Sequence, residues 1–361
     1  MTGQGERLHD RHERLTRELY ERGDGLPARY VFVLTIRCNL RCAFCPQSRQ
    51  AAGPELESAD WERVVDQLPD YARVTVTGGE PLLAPAFRSV MTQVGNRFDC
   101  NLISNGTLLT PENIDFLLSL PKFRLLSVSV DQPGNTNRDF TPARWERLVE
   151  MLQCFVGRRD ALGSTAALDI KTVVYPGNAA RLYELHVLAN ETLRCDTHAF
   201  QFLKGSPLQH AAAMSPLEAT FTPSEAPCIE PFTTVARELE RIRRYDLDTG
   251  SRAFLHPKFA DLASPDPLPE TLLAERLNAA AHDPTRYEAC MYPWSSVHIN
   301  ADGTLFPCQA IGMGNVRTQS LEAIITGEPM RRFRDIIRQH GTTQGCNRCG
   351  WLRLRRQTTE A

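Results

Sequence analysis

No run of about 18 uninterrupted apolar residues occurs in the sequence, so none of its segments is suited to cross a membrane as an apolar helix. The N-terminal stretch MTGQGERLHDRHERLTRELYERG is polar throughout and lacks the apolar segment of a secretory signal, so a cytoplasmic location is expected. An excess of one charge is missing too. The 41 Lys and Arg face 43 Asp and Glu, and a net charge of −2 gives no global basis for binding nucleic acid. An even cysteine count is also absent. Eleven cysteines cannot all pair within the chain, and a reducing cytosol disfavours structural disulfides. Cysteine clusters in that setting point to metal or redox sites.

What is present suffices for a packed protein. With 361 residues, 42% of them hydrophobic, the chain can build one large domain and a smaller one. Residues 1–28 read as a charged helical arm. From Tyr30 a repeating unit appears, with strand-like segments at Tyr30–Ile36, Arg73–Thr77, Cys100–Ser104, Leu125–Val130, Leu168–Val174 and His198–Leu203. Helix-like segments lie between them, at Asp60–Leu68, Pro85–Val94, Thr110–Leu120, Thr141–Phe155 and Ala179–Asn190. Two of these open on Thr-Pro, an N-cap followed by proline in the first turn. This alternation predicts a parallel α/β sheet whose chemistry sits at the C-terminal strand ends. Those ends carry Arg37–Cys45, Gly78-Gly79-Glu80-Pro81, Asn105-Gly106-Thr107, Asp131-Gln132, Tyr175–Asn178 and Lys204-Gly205. Residues 206–285 break the rhythm, apart from a helix at Thr234–Tyr245, and read as a linker or lid. Residues 286–361 contain a hairpin signal, Ser296–Asn300 and Thr304–Phe306 around Gly303, and then a helix near Leu321–Gln339.

Cys38, Cys42 and Cys45 form a Cys-x3-Cys-x2-Cys run. Three thiolates on one loop can grip a metal cluster, yet they fall one short of the four-cysteine shell of an ordinary [4Fe–4S] site. One iron would stay open to a non-protein ligand. A zinc site is the physical alternative and would need a fourth ligand such as histidine.

This run, with Phe44 as the aromatic before its last cysteine, resembles the signature of the radical S-adenosylmethionine (SAM) superfamily. Gly78-Gly79-Glu80-Pro81, after the second strand, resembles that family's glycine-rich motif for the SAM amino group. The resemblance covers about residues 29–205 and implies a partial (β/α)6 TIM-like barrel. It implies that Cys38, Cys42 and Cys45 hold a [4Fe–4S] cluster whose open iron binds SAM. SAM would be cleaved to a 5′-deoxyadenosyl radical that abstracts a substrate hydrogen. Gly78 and Gly79 would let the backbone approach the methionine part of SAM. Ser104, Asn105, Ser129 and Asp131 match places where family members contact the SAM ribose and carboxylate; turn and strand-end capping is their structural alternative. Phe44 is expected near the adenine or the cluster, or in the core.

A second constellation comprises Cys290, Cys308, Cys346 and Cys349, in which a hairpin and a terminal Cys-x2-Cys pair could converge on one centre. A zinc ribbon would use the same donors. Residues 286–361 resemble the auxiliary-cluster module of the SPASM/Twitch subgroup, a small β-hairpin/helix domain. With no cysteine after Cys349, they resemble its shorter form. The resemblance implies one auxiliary [4Fe–4S] cluster, fully ligated and acting as an electron relay. Of the remaining cysteines, Cys100 and Cys195 fall near the opposite end of the barrel and Cys154 reads as core. Cys228, in the lid segment, is either a hydrogen donor to a substrate radical or an incidental loop thiol.

The one-cluster layout resembles dehydrogenases and epimerases that act on a sugar, aminocyclitol or nucleoside in natural-product biosynthesis. That is the function expected here, with flavodoxin or ferredoxin as electron donor and neither nucleic acid nor membrane as partner. Sulfur insertion using the auxiliary cluster is a variant. A peptide maturase that forms crosslinks is the alternative from another class; such enzymes often carry an N-terminal peptide-binding module, and only about 28 residues precede the first strand here. A zinc-binding interaction protein is the outlying case. Lys204 and His210 are candidate general bases, while Tyr292 and Trp294 either line the pocket or pack beside the cluster.

Overall fold

The computed structural model describes residues 8–42, 44–45, 53–203, 206–209, 213–223, 232–256, 259 and 269–355. The first helix, α1 (Leu8–Arg22), leads into β1 (Arg29–Val33), α2 (Ser58–Asp66), β2 (Arg73–Thr77), α3 (Phe87–Arg97) and β3 (Asp99–Ser104). The alternation continues with α4 (Pro111–Ser119), β4 (Phe123–Ser129), α5 (Pro142–Ala161), β5 (Ala167–Val174), α6 (Leu182–Glu191) and β6 (Thr197–Phe202). The two Thr-Pro starts act as the sequence suggests. Thr110 accepts from Asn113 N–H at 3.2 Å and Thr141 from Arg144 N–H at 3.3 Å, so each satisfies one of the unpaired donors of a helix start.

Strands β1 to β6 pair in chain order and all in parallel. Residues on one face alternate with those on the other. Leu126, Val128, Leu168 and Ile170 are buried in a core shared with helix residues such as Leu148, Leu152 and Phe155. On the opposite face, Asp169 accepts from Ser127 Oγ at 3.0 Å and from Thr197 Oγ1 at 2.7 Å, and it pairs with Lys171 at 2.9 Å. The helices therefore cover an apolar face, and the other face is lined by polar groups.

The alternation runs further than the six strands read from the sequence. Within the segment taken for a linker or lid, α7 (Phe232–Thr249) packs its Phe232, Val235, Leu239 and Ile242 against Leu182, Phe200 and Phe202. It is followed by β7 (Ala253–Leu255), which adds parallel to β6. The described part of that segment thus extends the sheet, because α7 has a continuous apolar face to bury. After α8 (Glu270–Asn278) and the short α9 (Tyr292–Ser295), β8 (Ser296–Ile299) pairs in parallel with β1 on its other side. The predicted hairpin forms between β8 and β9 (Thr304–Phe306), with Gly303 at φ +90°, and β10 (Gly314–Asn315) adds an edge. Helices α10 (Leu321–Ile325) and α11 (Glu328–His340) follow. The hairpin expected in a separate small domain therefore continues the barrel sheet, whose ten strands among the described residues run β10-β9-β8-β1-β2-β3-β4-β5-β6-β7, with β10 and β7 unpaired to each other.

Helix α1 is docked along one face. Leu15, Leu19 and Tyr20 pack on the core, Tyr20 meets Trp294 edge to face at 4.8 Å, and Thr16 Oγ1 donates to Ser295 Oγ at 2.9 Å. The three- and four-residue spacing of His12, Leu15, Thr16 and Leu19 places them on that face. Among the described residues no helix is long and apolar enough to cross a membrane. Strand β1, in the interior of the sheet, is pinned by Trp61 of α2, fully buried against Phe32 with ring centroids 4.9 Å apart. Trp61→Ala should lower the unfolding free energy by about 3–5 kcal/mol, measured by chemical denaturation.

Candidate active site

The cysteine loop leaves β1 at its C-terminal end and is held mainly by backbone. Leu34 N–H donates to Thr77 O at 2.9 Å, Gly79 N–H to Thr35 O at 2.7 Å and Glu80 N–H to Arg37 O at 2.8 Å. A Cβ on Gly79 would lie 2.2 Å from Arg37 O, and one on Gly78 2.5 Å from Thr35 O. The two glycines are thus required by the chain itself, whatever ligand they also approach. Glu55, which the sequence reading missed, fastens the loop from outside. Its carboxylate accepts from Thr35 Oγ1 at 2.5 Å, Ile36 N–H at 3.1 Å and Arg37 Nη2 at 3.0 Å.

The other rim segments join this loop in a continuous belt. Glu80 is fully buried and accepts from Ser104 Oγ at 2.9 Å, Asn105 N–H at 2.8 Å and Leu82 N–H at 3.1 Å. Burial pushes its carboxyl up to about 7 against the pull of those donors. Pro81 opens the short helical turn that Glu80 caps. Asn105 Nδ2 donates to Asn39 Oδ1 at 3.0 Å and lies 3.7 Å from Cys38 Sγ. Asp131 is fully buried; its carboxylate accepts from Val173 N–H at 2.8 Å, Asn137 Nδ2 at 3.0 Å and Arg138 Nε at 2.7 Å. The Ser129 carbonyl accepts from Asn135 Nδ2 at 3.1 Å. Ser104, Asn105 and Asp131 therefore all perform the capping that their position at strand ends allows.

Arg138 was also missed. Short 3₁₀ turns on either side of a left-handed kink at Gly134-Asn135, within Pro133–Arg138, swing it back over the rim, where its Nη1 is 3.8 Å from Cys42 Sγ and its guanidinium covers the Phe44 ring at 5.2 Å. Phe44 also meets Tyr175 at 5.8 Å, so it lies between two rim segments. A charge-bearing arginine beside a buried thiol favours the thiolate, while burial raises the Cys38 and Cys42 thiols. A metal ion would remove those protons outright. The three thiols, the donors Leu40 N–H and Asn105 Nδ2 toward Cys38, and the Arg138 cation toward Cys42 form a donor set suited to an anionic metal–sulfur cluster.

Cys290, Cys308, Cys346 and Cys349 are brought together. Burial and mutual repulsion raise the Cys290 and Cys308 thiols, and both feel Cys346 and Cys349. Cys346 Sγ receives Thr343 N–H at 3.5 Å and Gln309 Nε2 at 3.6 Å. Gln309 is itself held by Thr220 Oγ1 at 2.6 Å. Among the described residues no three His, Cys, Asp or Glu side chains are close enough to hold a single metal ion. The Cys346–Cys349 turn also reaches the far edge of the sheet. His256, after β7, lies 3.1 Å from Arg348 O, and Gly350 abuts Gln201 of β6.

The remaining candidates separate. Cys100 is buried within β3, and burial pushes its thiol, like that of Cys195, up to about 12. Cys154 is half-buried on α5. Trp294 packs between α1 and α11, with Tyr20 and Arg338 on its ring, and so does not line a pocket. Tyr292 donates to Glu13 Oε1 at 2.8 Å and packs on Trp351 at 4.6 Å. Cys228, Lys204 and His210 lie outside the described residues.

The tight Gly79 contact yields a test. Gly79→Ala must displace the cysteine loop, and the reconstituted variant should lose about four irons per chain while keeping its far-ultraviolet circular dichroism. Wild-type iron content in that variant would contradict the account.

Comparison with known proteins follows these two constellations. Residues 32–158 match the radical SAM superfamily, and residues 290–350 match the SPASM iron–sulfur cluster-binding domain. The chain is 29% identical over 119 residues to the antilisterial bacteriocin subtilosin biosynthesis protein AlbA of Bacillus subtilis, covering 32% of this chain and 26% of that protein. It is 32% identical over 97 residues to the PqqA peptide cyclase of Rhodopseudomonas palustris, covering 25% of each. The fold resembles that of SuiB from Streptococcus suis, solved with its precursor peptide SuiA, at a TM-score of 0.61 and 14% identity over 97% of this chain and 78% of that one. The chain spans about a quarter to a half of the length of the curated relatives it matches. A [4Fe–4S] cluster and SAM are the cofactors of the first domain, and auxiliary iron–sulfur clusters those of the second. The chain therefore carries a radical SAM domain at residues 32–158 and a SPASM domain at residues 290–350, on an open α/β barrel of the fold seen in SuiB.

Proposed function

We propose that this chain is a radical SAM enzyme that modifies a peptide by forming a crosslink. Cys38, Cys42 and Cys45 would hold the SAM-binding cluster, and Cys290, Cys308, Cys346 and Cys349 one closed auxiliary cluster. When bound, cluster and SAM together supply a one-electron route to hydrogen abstraction from an unactivated C–H bond. The chain's own part is to place and shield that chemistry. Gly78 and Gly79 fix the cysteine loop, and the Glu80–Ser104–Asn105 network fixes the rim beside it. Arg138, oriented by Asp131, presents a cation next to Cys42, where a ligand carboxylate can meet it. Phe44 and Tyr175 place two half-buried aromatic rings beside the loop. At the auxiliary site, Gln309 and Thr343 place donors on Cys346, which favours the more negative, reduced state.

The observation that carries the peptide reading is the pair of relatives whose names state peptide chemistry, bacteriocin biosynthesis and peptide cyclisation. It is preferred to a sugar, aminocyclitol or nucleoside substrate, which rests on the one-cluster layout alone. Forming a crosslink removes two hydrogens, so an electron must leave the substrate after hydrogen abstraction, and a closed auxiliary cluster suits that role. Flavodoxin or ferredoxin is the proposed source of the initiating electron.

The test is anaerobic reconstitution with SAM, flavodoxin and a synthetic peptide library, run beside sugars and nucleosides in D2O. A peptide two mass units lighter with two residues joined is the expected product. Turnover confined to sugars or nucleosides would overturn the peptide reading. Replacing Cys346 and Cys349 by Ala should leave SAM cleavage largely intact and abolish the product; unchanged turnover would remove the auxiliary site from the reaction.

A further inference from the structure

A buried line of polar groups runs from the outer helices to the rim, and the chemistry above does not use it. Asp246 Oδ1 of α7 lies 2.9 Å from His186 Nε2 of α6. His186 Nδ1 lies 3.1 Å from His198 Nδ1 of β6, and His198 Nε2 lies 2.8 Å from Thr172 Oγ1 of β5. Thr172 Oγ1 in turn donates to the Val130 carbonyl at 2.6 Å. Both imidazoles are 0% exposed. Their planes lie within 9° of each other, and the short Nδ1–Nδ1 distance means that the rings meet edge to edge.

Counting protons along this line decides its charge. A carbonyl only accepts, so the single Thr172 hydrogen goes to Val130. Thr172 Oγ1 must then accept from His198 Nε2–H. A neutral His198 protonated at Nε2 has a bare Nδ1, which must accept from His186 Nδ1–H. Two groups face His186 Nε2, the Asn190 amide Nδ2 at 3.3 Å and the Asp246 carboxylate at 2.9 Å; the carboxylate only accepts, so its shorter contact requires His186 to donate from Nε2 as well. An imidazole that donates from both nitrogens is an imidazolium. With both histidines neutral, one of the four bonds has no hydrogen to make it.

We infer that Asp246 and His186 form a buried carboxylate–imidazolium pair which, through neutral His198 and Thr172, positions the Val130–Asp131 corner of the rim. These four are positioning residues. Their target is the segment whose Asp131 aims Arg138 at Cys42, and the effect on SAM rests on the functional reading above. Burial outweighs Asp246 at His186 and leaves its basicity below that of an ordinary imidazole, while His198, with no carboxylate and with His186 beside it, falls much further; of the two rings, His186 is therefore the one that takes the proton. The other groups facing the pair are Tyr245 of α7, 5.4 Å from the His186 ring and bonded to Glu191, and Asn190, which donates to His186 O at 2.7 Å. Cys195 lies near Asp246, Asp169 and Asp196, and burial keeps its thiol protonated. The second Asp246 oxygen accepts from Ala253 N–H of β7 at 2.8 Å.

Reconstituted enzyme labelled with ¹⁵N-histidine provides the test, with His198→Gln for assignment. At about pH 5, His186 should show two protonated nitrogens and His198 the neutral Nε2–H tautomer. Raising the pH to about 7.5 should remove the His186 proton and weaken SAM binding, followed by equilibrium dialysis, by about 2- to 10-fold. Asp246→Asn should start at the weaker affinity and lose this pH dependence. A neutral His186 at the lower pH, or a wild-type pH profile in Asp246→Asn, would overturn the inference. Should Asp246→Asn fail to fold, the wild-type spectrum alone decides. An imidazolium at His186 in a chain that binds no SAM at either pH would uphold the pair and overturn the reading of the rim as a SAM site.

Discussion

The active end of the barrel depends on a contact between two backbones where no side chain fits. Gly78 and Gly79 lie so close to Thr35–Arg37 that a single Cβ would enter the carbonyl oxygens opposite. That closeness lets Gly79 N–H and Glu80 N–H bond the start of the cysteine loop, extending the β1–β2 pairing past the ends of both strands. A loop bearing three thiols is otherwise costly to order, because its residues give up conformational freedom without forming a regular element. Here the neighbouring strand end supplies the missing ladder, and Glu55 holds the loop from the other side.

From that splint the rest of the rim follows as a chain of satisfied polar groups. Glu80 connects the loop's neighbour to Ser104 and Asn105, Asn105 turns back to Asn39, and Asp131 ties the fourth strand end to the fifth. Buried carboxylates are destabilising unless their lone pairs are taken, and both Glu80 and Asp131 have theirs taken by groups of the chain. Arg138 is a strong cation that this network brings to the cysteine loop, and Asp131 sets its direction.

The alternation of strands and helices was readable because each strand is short and apolar and two of the helices begin on Thr-Pro. The cysteine runs and the Gly-Gly-Glu-Pro segment were readable because their spacing is local. What escaped was long-range or lacked a local pattern. The β8–β1 pairing joins segments that look unrelated in sequence, and a three-residue strand such as Ala253–Leu255 has too few residues to show a period. The helix Phe232–Thr249 was recognised, but its place in the sheet layer was not, since an apolar stripe does not name its partner. Glu55, Arg138 and Gln309 act through distant contacts and resemble ordinary surface polar residues in the sequence. The capping roles of Ser104, Asn105 and Asp131 were visible as an alternative because strand ends present unpaired backbone groups.

The bond from Arg29 to Ser296 spans 267 positions, and around it β1 gains its second neighbour, β8. Contacts so far apart in the chain form late, since the loop-closure entropy is met before the contact repays it. During synthesis β1 therefore keeps one edge unpaired until the chain 267 positions further on has been made. An unpaired apolar strand edge is a template for wrong partners. The cysteine loop sits at the end of that strand, so the sheet beside its thiols stays incomplete until the hairpin of β8 and β9 docks against β1.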